Sequence, residues 1–119
     1  MKILLVEDHI DTSRVLAKLL KNEGHDVQTA NDKASAIELS SQQSFDIVIS
    51  DIGLPDGSGF DLIRELRAIR PILGVALSGY AMAEDIKASR DAGFDAHLSK
   101  PIDIDELQST LRNLKNTSN

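Results

Sequence analysis

The sequence predicts an α/β fold in which five parallel strands form a doubly wound sheet with helices on both faces. Five short aliphatic runs alternate with five segments of helical periodicity along the 119 residues. The run at residues 47–49 shows no polar alternation, which is typical of a parallel strand covered on both faces. Strands joined by helices at this spacing form right-handed crossovers within one sheet. We therefore expect a single domain spanning residues 1–119, with residues 116–119 as a frayed polar tail.

The predicted strands differ in polarity, and this difference indicates the place of each strand in the sheet. The strands that begin at Lys2, Asp46 and Leu73 are apolar almost throughout and are expected at the centre. The strands near Val27 and Ala96 include polar residues and are expected at the edges. This distribution matches the doubly wound strand order 2-1-3-4-5.

Helical periodicity and capping residues place the five helices. Gly24 is a natural stop for the first helix, and the third ends near Pro71 because the residue before a proline disfavours helical backbone. Asn31 or Asp32 caps the second helix, and Asp103 caps the fifth. The fourth helix is expected at about residues 82–91. The predicted buried stripes are Val15, Leu16, Leu19 and Leu20 in the first helix, Leu62, Ile63, Leu66 and Ile69 in the third, and Ile104, Leu107, Leu111 and Leu114 in the fifth.

The composition narrows the classes of function. A net charge of −6 argues against a surface that binds nucleic acid, which would carry a basic patch. The absence of cysteine excludes a disulfide framework and a thiolate metal site. No apolar run approaches the roughly 20 residues of a membrane span, and the first strand turns acidic too early for a signal peptide. We expect a cytoplasmic chain that itself contacts neither nucleic acid nor membrane.

Side chains that can carry chemistry follow four of the predicted strands. Glu7 and Asp8 follow the first strand, Asp51 ends the third, Ser78 follows the fourth and Lys100 follows the fifth. The carboxyl ends of parallel strands meet at one sheet edge, where ligands bind in open α/β sheets. Two carboxylates at about 4 Å repel by roughly 4 kcal/mol at an effective dielectric near 20, so either their pKa values rise or a cation joins them.

The types of these side chains indicate a metal and a reaction. Hard oxygen ligands, with no histidine or cysteine expected nearby, favour Mg²⁺. Lys100 and Ser78 are suited to hold the oxygens of a transferring phosphoryl group. Asp51 is the best placed nucleophile, because carboxylates attack phosphorus to give aspartyl-phosphates.

Taken together, these motifs resemble the receiver domain of two-component response regulators, including the receivers of hybrid sensor histidine kinases. The resemblance covers essentially the whole chain and implies a flavodoxin-like fold. It implies a switch that accepts a phosphoryl group on Asp51 from a phosphohistidine of a histidine kinase or phosphotransfer domain. Such a domain catalyses its own Mg²⁺-dependent phosphorylation and slow dephosphorylation without being a conventional enzyme. The matching motifs are Glu7-Asp8, Asp51 with Leu54-Pro55 and Gly59, Ser78-Gly79, and Lys100-Pro101.

The resemblance also implies the roles of individual site residues. Asp51 is similar to the phosphoacceptor, and Lys100 is similar to the lysine that pairs with the phosphoryl group. The peptide bond from Lys100 to Pro101 is commonly cis in this family. The residues that resemble the Mg²⁺ ligands are Glu7, Asp8, Asp51 and the backbone carbonyl of Gly53.

The resemblance implies further roles in switching, in the lifetime of the phosphoryl group and in partner docking. Ser78 resembles the switch hydroxyl, and His97 stands where the family has an aromatic switch residue, although a half-exposed edge-strand histidine is the alternative. Switching is expected to change the face formed by helix four, strand five and helix five, through which receivers can form homodimers. Gly53 offers no side chain to position water and Tyr80 could shield the site, so we expect a long-lived phosphoryl group. The expected partner-docking residues are His9, Thr12, Val15 and Pro101.

Two other functions fit the same fold class. A flavodoxin-like electron carrier would need aromatic residues around a flavin and a phosphate-binding loop where the chain has Glu7 and Asp8. A haloacid-type phosphatase would need a second acid two residues after its nucleophile, where Gly53 stands. The sequence is compatible with three kinds of protein: a stand-alone regulator, a phosphorelay intermediate and a receiver cut from a larger protein.

Overall fold

The computed structural model describes residues 1–79 and 83–117 of the chain. Within these residues the main sheet has five parallel strands and is flanked by five helices, in the predicted order 2-1-3-4-5. No helix of the described ranges is long and apolar enough to cross a bilayer. The strands are β1 (Lys2–Val6), β2 (Asp26–Ala30), β3 (Ile47–Asp51), β4 (Leu73–Ser78) and β5 (Ala96–Ser99), and the helices are α1 (Ile10–Asn22), α2 (Lys33–Gln42), α3 (Gly59–Ile69), α4 (Ala83–Ala92) and α5 (Ile104–Thr117).

The sheet divides the apolar core into two layers. Along β1, Ile3 and Leu5 face the layer covered by α1 and α5, whereas Leu4 and Val6 face the layer covered by α2, α3 and α4. All four side chains are fully buried. The side-chain alternation of a strand therefore supplies apolar surface to both layers, which explains the unbroken aliphatic run.

The strand register aligns the carboxyl ends of the strands. Val6 lies opposite Ser50, so Glu7 and Asp51 follow at the same level of the sheet. Ser78 lies opposite Ser99, which places Lys100 at that same edge. The register therefore explains how residues far apart in sequence come to share one end of the sheet.

Three residues predicted to be buried are exposed. Val15 and Leu19 of α1 are 59% and 36% exposed, and Ile69 of α3 is 40% exposed. The buried face of α1 runs through Ser13, Leu16, Ala17 and Leu20, which are spaced i, i+3, i+4 and i+7. Val15 and Leu19 lie beside this face, and Ile69 is the last residue of its helix. The predicted stripes were therefore too wide.

Side-chain caps set the helix boundaries largely as predicted. Asp32 rather than Asn31 caps α2, by accepting a hydrogen bond from the backbone N–H of Ser35 at 2.8 Å. Asp103 accepts backbone N–H bonds at the start of α5. Helix α5 continues through Thr117, two residues into the predicted frayed tail. The predicted first residue of α4, Met82, and the last two tail residues lie outside the described residues.

Candidate functional site

Lys100 joins two of the predicted carboxylates at the carboxyl end of the sheet. Its Nζ donates to Asp51 Oδ2 at 2.8 Å and to Glu7 Oε1 at 3.0 Å. The Glu7 side chain is fully buried, whereas the side chains of Asp51 and Lys100 are 13% and 25% exposed. The structure therefore brings together residues 7, 51 and 100, and Asp51 remains partly accessible.

The burial and crowding of these groups shift their protonation. Burial, reinforced by a hydrogen bond with Asp51, raises the pKa of Glu7 from its ordinary 4.5 to about 7, although Lys100 acts in the opposite direction. Burial alone would lower the pKa of Lys100, but its hydrogen bonds to Asp51 and Glu7 outweigh burial and raise that pKa. The Lys100 ammonium between the two carboxylates and the raised pKa of Glu7 both relieve the carboxylate repulsion expected from the sequence.

Asp8 lies on the solvent side of this group and is accompanied by a histidine. His9 Nδ1 is 3.4 Å from Asp8 Oδ1 and 3.7 Å from Glu7 Oε1. These three residues offer ligand atoms that all lie within 4.8 Å of one another. The expectation that no histidine lies near the acidic cluster was therefore wrong, because the chain turns into α1 directly after Asp8. The donors are still mainly carboxylate oxygens, which suit a divalent cation.

The loop after Asp51 is a small antiparallel hairpin that leads into α3. Gly53 pairs with Ser58 and Leu54 pairs with Gly57. The hairpin closes through a hydrogen bond from the Gly59 N–H to the Ile52 carbonyl at 2.7 Å. Ser58 then caps α3 by accepting from the backbone N–H of Asp61.

Two glycines of this loop differ in the space that surrounds them. A Cβ atom on Gly59 would lie 2.5 Å from the backbone carbonyl oxygen of Asp51, so only glycine fits without moving the end of β3. A Cβ on Gly53 would meet nothing within 4 Å, so this position has room for a side chain. Tyr80, the other residue expected to set the phosphoryl lifetime, lies outside the described residues.

Ser78 and His97, the two predicted switch residues, lie on neighbouring strands. Ser78 is buried at the end of β4, and its carbonyl accepts a hydrogen bond from the Lys100 N–H at 2.7 Å. His97 is half-buried in β5, opposite Ala76. The peptide bond between Lys100 and Pro101 is cis, as the resemblance implies.

A groove beside the site contains most of the predicted docking residues. Its volume is about 410 Å³, and it runs between α1 and the segment after β5. His9 lies at the acidic rim instead, and the exposed Ile10 extends the apolar surface at the start of α1. Ile10 was not among the predicted docking residues, and Leu19 was predicted to lie in the core. The groove is lined by Asp11, Thr12, Val15, Leu16, Leu19, Lys100, Pro101 and Ile102.

Comparisons with known proteins agree with this geometry. The chain matches the family profile described as the response regulator receiver domain over residues 3–112. It is 39% identical over 114 residues to the sensor histidine kinase RcsC of Salmonella typhi, covering 93% of this chain and 12% of that protein. It is 37% identical over 110 residues to the KDP operon transcriptional regulatory protein KdpE of Escherichia coli, covering 92% of this chain and 49% of that protein.

A solved structure supports the fold. The crystal structure of a two-component response regulator from Clostridium difficile superposes with a TM-score of 0.95. The match covers 100% of this chain and 98% of that one at 23% identity, a level that supports the fold alone. Together with the family profile, which spans nearly the whole chain, these findings show that the chain belongs to the response regulator receiver domain family.

Proposed function

We propose that this domain is a signalling switch that accepts a phosphoryl group on Asp51 from a phosphohistidine of a partner. The observation that carries the proposal is the contact of the Asp51 carboxylate with the Lys100 ammonium at 2.8 Å, at the sheet edge beside Glu7 and Asp8. The flavodoxin-like and haloacid-type alternatives are not favoured, because the chain matches the receiver family over residues 3–112.

The proposed transfer is a displacement at phosphorus. An Asp51 carboxylate oxygen forms the new P–O bond as the P–N bond to the donor imidazole breaks, and the imidazole nitrogen keeps the electron pair and takes a proton. The product is a mixed anhydride between the Asp51 carboxyl and phosphate. Lys100 is placed to neutralise charge on the phosphoryl oxygens, since its Nζ already contacts the attacking group. We assign the Ser78 hydroxyl the contact with the phosphoryl group that starts the switch.

We further propose that Mg²⁺ serves this reaction. The residues that would hold it are Glu7, Asp8, Asp51 and the carbonyl of Gly53, all hard oxygen donors. The raised pKa of Glu7 supports this assignment, because burial and the neighbouring Asp51 carboxylate both disfavour a charged Glu7, and a bound cation would stabilise that charge. Bound there, Mg²⁺ would supply positive charge next to the phosphoryl oxygens.

Partner and output surfaces follow from the exposed apolar residues. We propose that a histidine kinase or phosphotransfer domain docks on the groove that contains Thr12, Val15 and Pro101. Val15 and Leu19 are both exposed and line this groove together, and contiguous exposed apolar surface of this kind supports the assignment. We also propose that switching reaches the face of α4, β5 and α5 through His97, with homodimerisation there.

The cytoplasmic location and the lack of nucleic-acid binding stay predictions.

Phosphoryl uptake is tested by intact mass after incubation with a small acyl-phosphate donor and Mg²⁺. The wild type should gain one phosphoryl group, whereas Asp51→Asn and a wild-type sample with excess chelator should gain none. Equal uptake by Asp51→Asn would refute the acceptor assignment. If the wild type gains nothing, transfer is tried from a histidine-phosphorylated phosphotransfer domain, and failure of both donors would refute the proposed function.

A further inference from the structure

Asp56, at the tip of the hairpin after Asp51, is bonded to a helix on another part of the chain. Its Oδ1 accepts the backbone N–H of Lys33 at 2.8 Å, and its Oδ2 accepts the backbone N–H of Ala34 at 3.0 Å. These two donors belong to the first turn of α2, where backbone N–H groups have no partner within the helix. Asp56 therefore ties the hairpin to α2 through both carboxylate oxygens.

Lys33 reinforces the same junction. Its aliphatic stem lies over Gly57, where an added Cβ would be 3.4 Å from the Lys33 side chain. Its Nζ pairs with Glu65 Oε2 of α3 at 3.0 Å. Lys33 thus spans α2, the hairpin and α3, and the hairpin is held from outside on two sides.

The hairpin needs such an anchor because little within it can hold its shape. It consists of two residue pairs, and a two-stranded hairpin of this size is marginal on its own. Glycines at positions 53 and 57 add backbone freedom. The Gly53 carbonyl, a proposed Mg²⁺ ligand, lies only three residues from Asp56.

We propose that Asp56 is a positioning residue that holds the hairpin, and with it the Gly53 carbonyl, in the geometry that binds the divalent cation. This inference rests on the proposed function and assigns α2 a part in it: the helix serves as the fixed support of the acceptor loop. Asp56 touches neither the acceptor nor the cation, and it acts through the backbone of residues 53–57.

The chain offers a matched control, because two aspartates cap the same helix. Asp32 accepts the N–H of Ser35 from within the β2–α2 turn, whereas Asp56 reaches α2 from the hairpin. Asp32→Ala and Asp56→Ala each remove a cap of α2, but only Asp56→Ala releases the hairpin. A purely helix-stabilising role predicts the same behaviour for both variants.

The test measures Mg²⁺ affinity by isothermal titration at a temperature where all variants are folded. It also measures hydrogen exchange of the backbone amides of residues 53, 54 and 56–58. Asp56→Ala should weaken Mg²⁺ binding about three- to tenfold, the range expected when one or two supporting hydrogen bonds are lost, and should accelerate exchange in the hairpin. Asp56→Asn, which retains an acceptor oxygen, should recover part of the affinity. Asp32→Ala should leave Mg²⁺ affinity and hairpin exchange unchanged.

Two outcomes would overturn the inference. Unchanged Mg²⁺ affinity in Asp56→Ala, or an equal loss in Asp32→Ala, would show that Asp56 is only a helix cap. Asp8→Asn separates this failure from a failure of the proposed function. If Asp8→Asn abolishes Mg²⁺ binding while Asp56→Ala has no effect, the metal site stands and the role of Asp56 is refuted.

Discussion

Glu7 provides a quantitative test of the electrostatics at the site. Its pKa is raised from 4.5 to about 7 in the folded protein, so the folded state binds the Glu7 proton more tightly than the unfolded state. Stability contributed by this proton is fully present below about pH 4.5 and is lost as the pH rises through 7. At 1.36 kcal/mol per pKa unit, the raised pKa of Glu7 costs the metal-free protein about 3 kcal/mol at pH 8 and less than about 1 kcal/mol at pH 5.

Glu7→Gln removes this cost, because the amide has the shape of the protonated acid and does not ionise. In chelator-containing buffer, urea unfolding should show Glu7→Gln more stable than the wild type by about 3 kcal/mol at pH 8, with the difference nearly gone at pH 5. Glu38→Gln, which removes the same charge from an exposed site on α2, serves as the control. Parallel pH profiles for the wild type and Glu7→Gln would refute a raised pKa at Glu7 and the site electrostatics built on it.

Four further substitutions test the loop, the lysine and the switch. Gly59→Ala should lower the free energy of unfolding by about 1–3 kcal/mol and reduce phosphoryl uptake, because its methyl group meets the Asp51 carbonyl. Gly53→Ala, with open space around its methyl group, should cost less than about 0.5 kcal/mol, and equal losses in urea unfolding would contradict the packing argument. Lys100→Met should slow uptake from an acyl-phosphate donor by about a hundredfold, and an unchanged rate would exclude charge neutralisation by this residue. His97→Tyr should strengthen the phosphorylation-induced shifts in α4 measured by NMR, because the phenol ring has more apolar area than imidazole, and identical shifts in both proteins would leave His97 without a switch role.

The sequence predicted the structure well where a pattern of residues is compatible with only one kind of element. The unbroken aliphatic runs predicted the central strands, and the residues that follow those strands predicted the joining of Glu7, Asp51 and Lys100. Gly59 was noted as part of a motif, but the reason for it, a 2.5 Å approach to the Asp51 carbonyl, depends on how the hairpin closes. A contact that forms only when the hairpin closes leaves no local pattern in the sequence.

The exposure of individual side chains and their distant partners could not be predicted, because the same sequence pattern is compatible with several arrangements. Val15 and Leu19 are apolar at helical spacing, which predicted burial, yet the sheet contacts the face that runs through Leu16 and Leu20. No local pattern in the sequence indicated that Asp56 caps a helix 22 residues earlier in the chain. Periodicity identifies an amphipathic helix more reliably than the exact width of its buried face.

The central claim is that Asp51 is the phosphoacceptor, and reductive trapping tests it most directly. The protein is incubated with Mg²⁺ and an acyl-phosphate donor and then treated with borohydride, which reduces an acyl phosphate to an alcohol and so converts the phosphorylated aspartate to homoserine. Peptide mapping by mass spectrometry should find homoserine at position 51, and only when donor and Mg²⁺ are both present. Homoserine at position 8, or a phosphoryl group that resists borohydride, would contradict the assignment of Asp51.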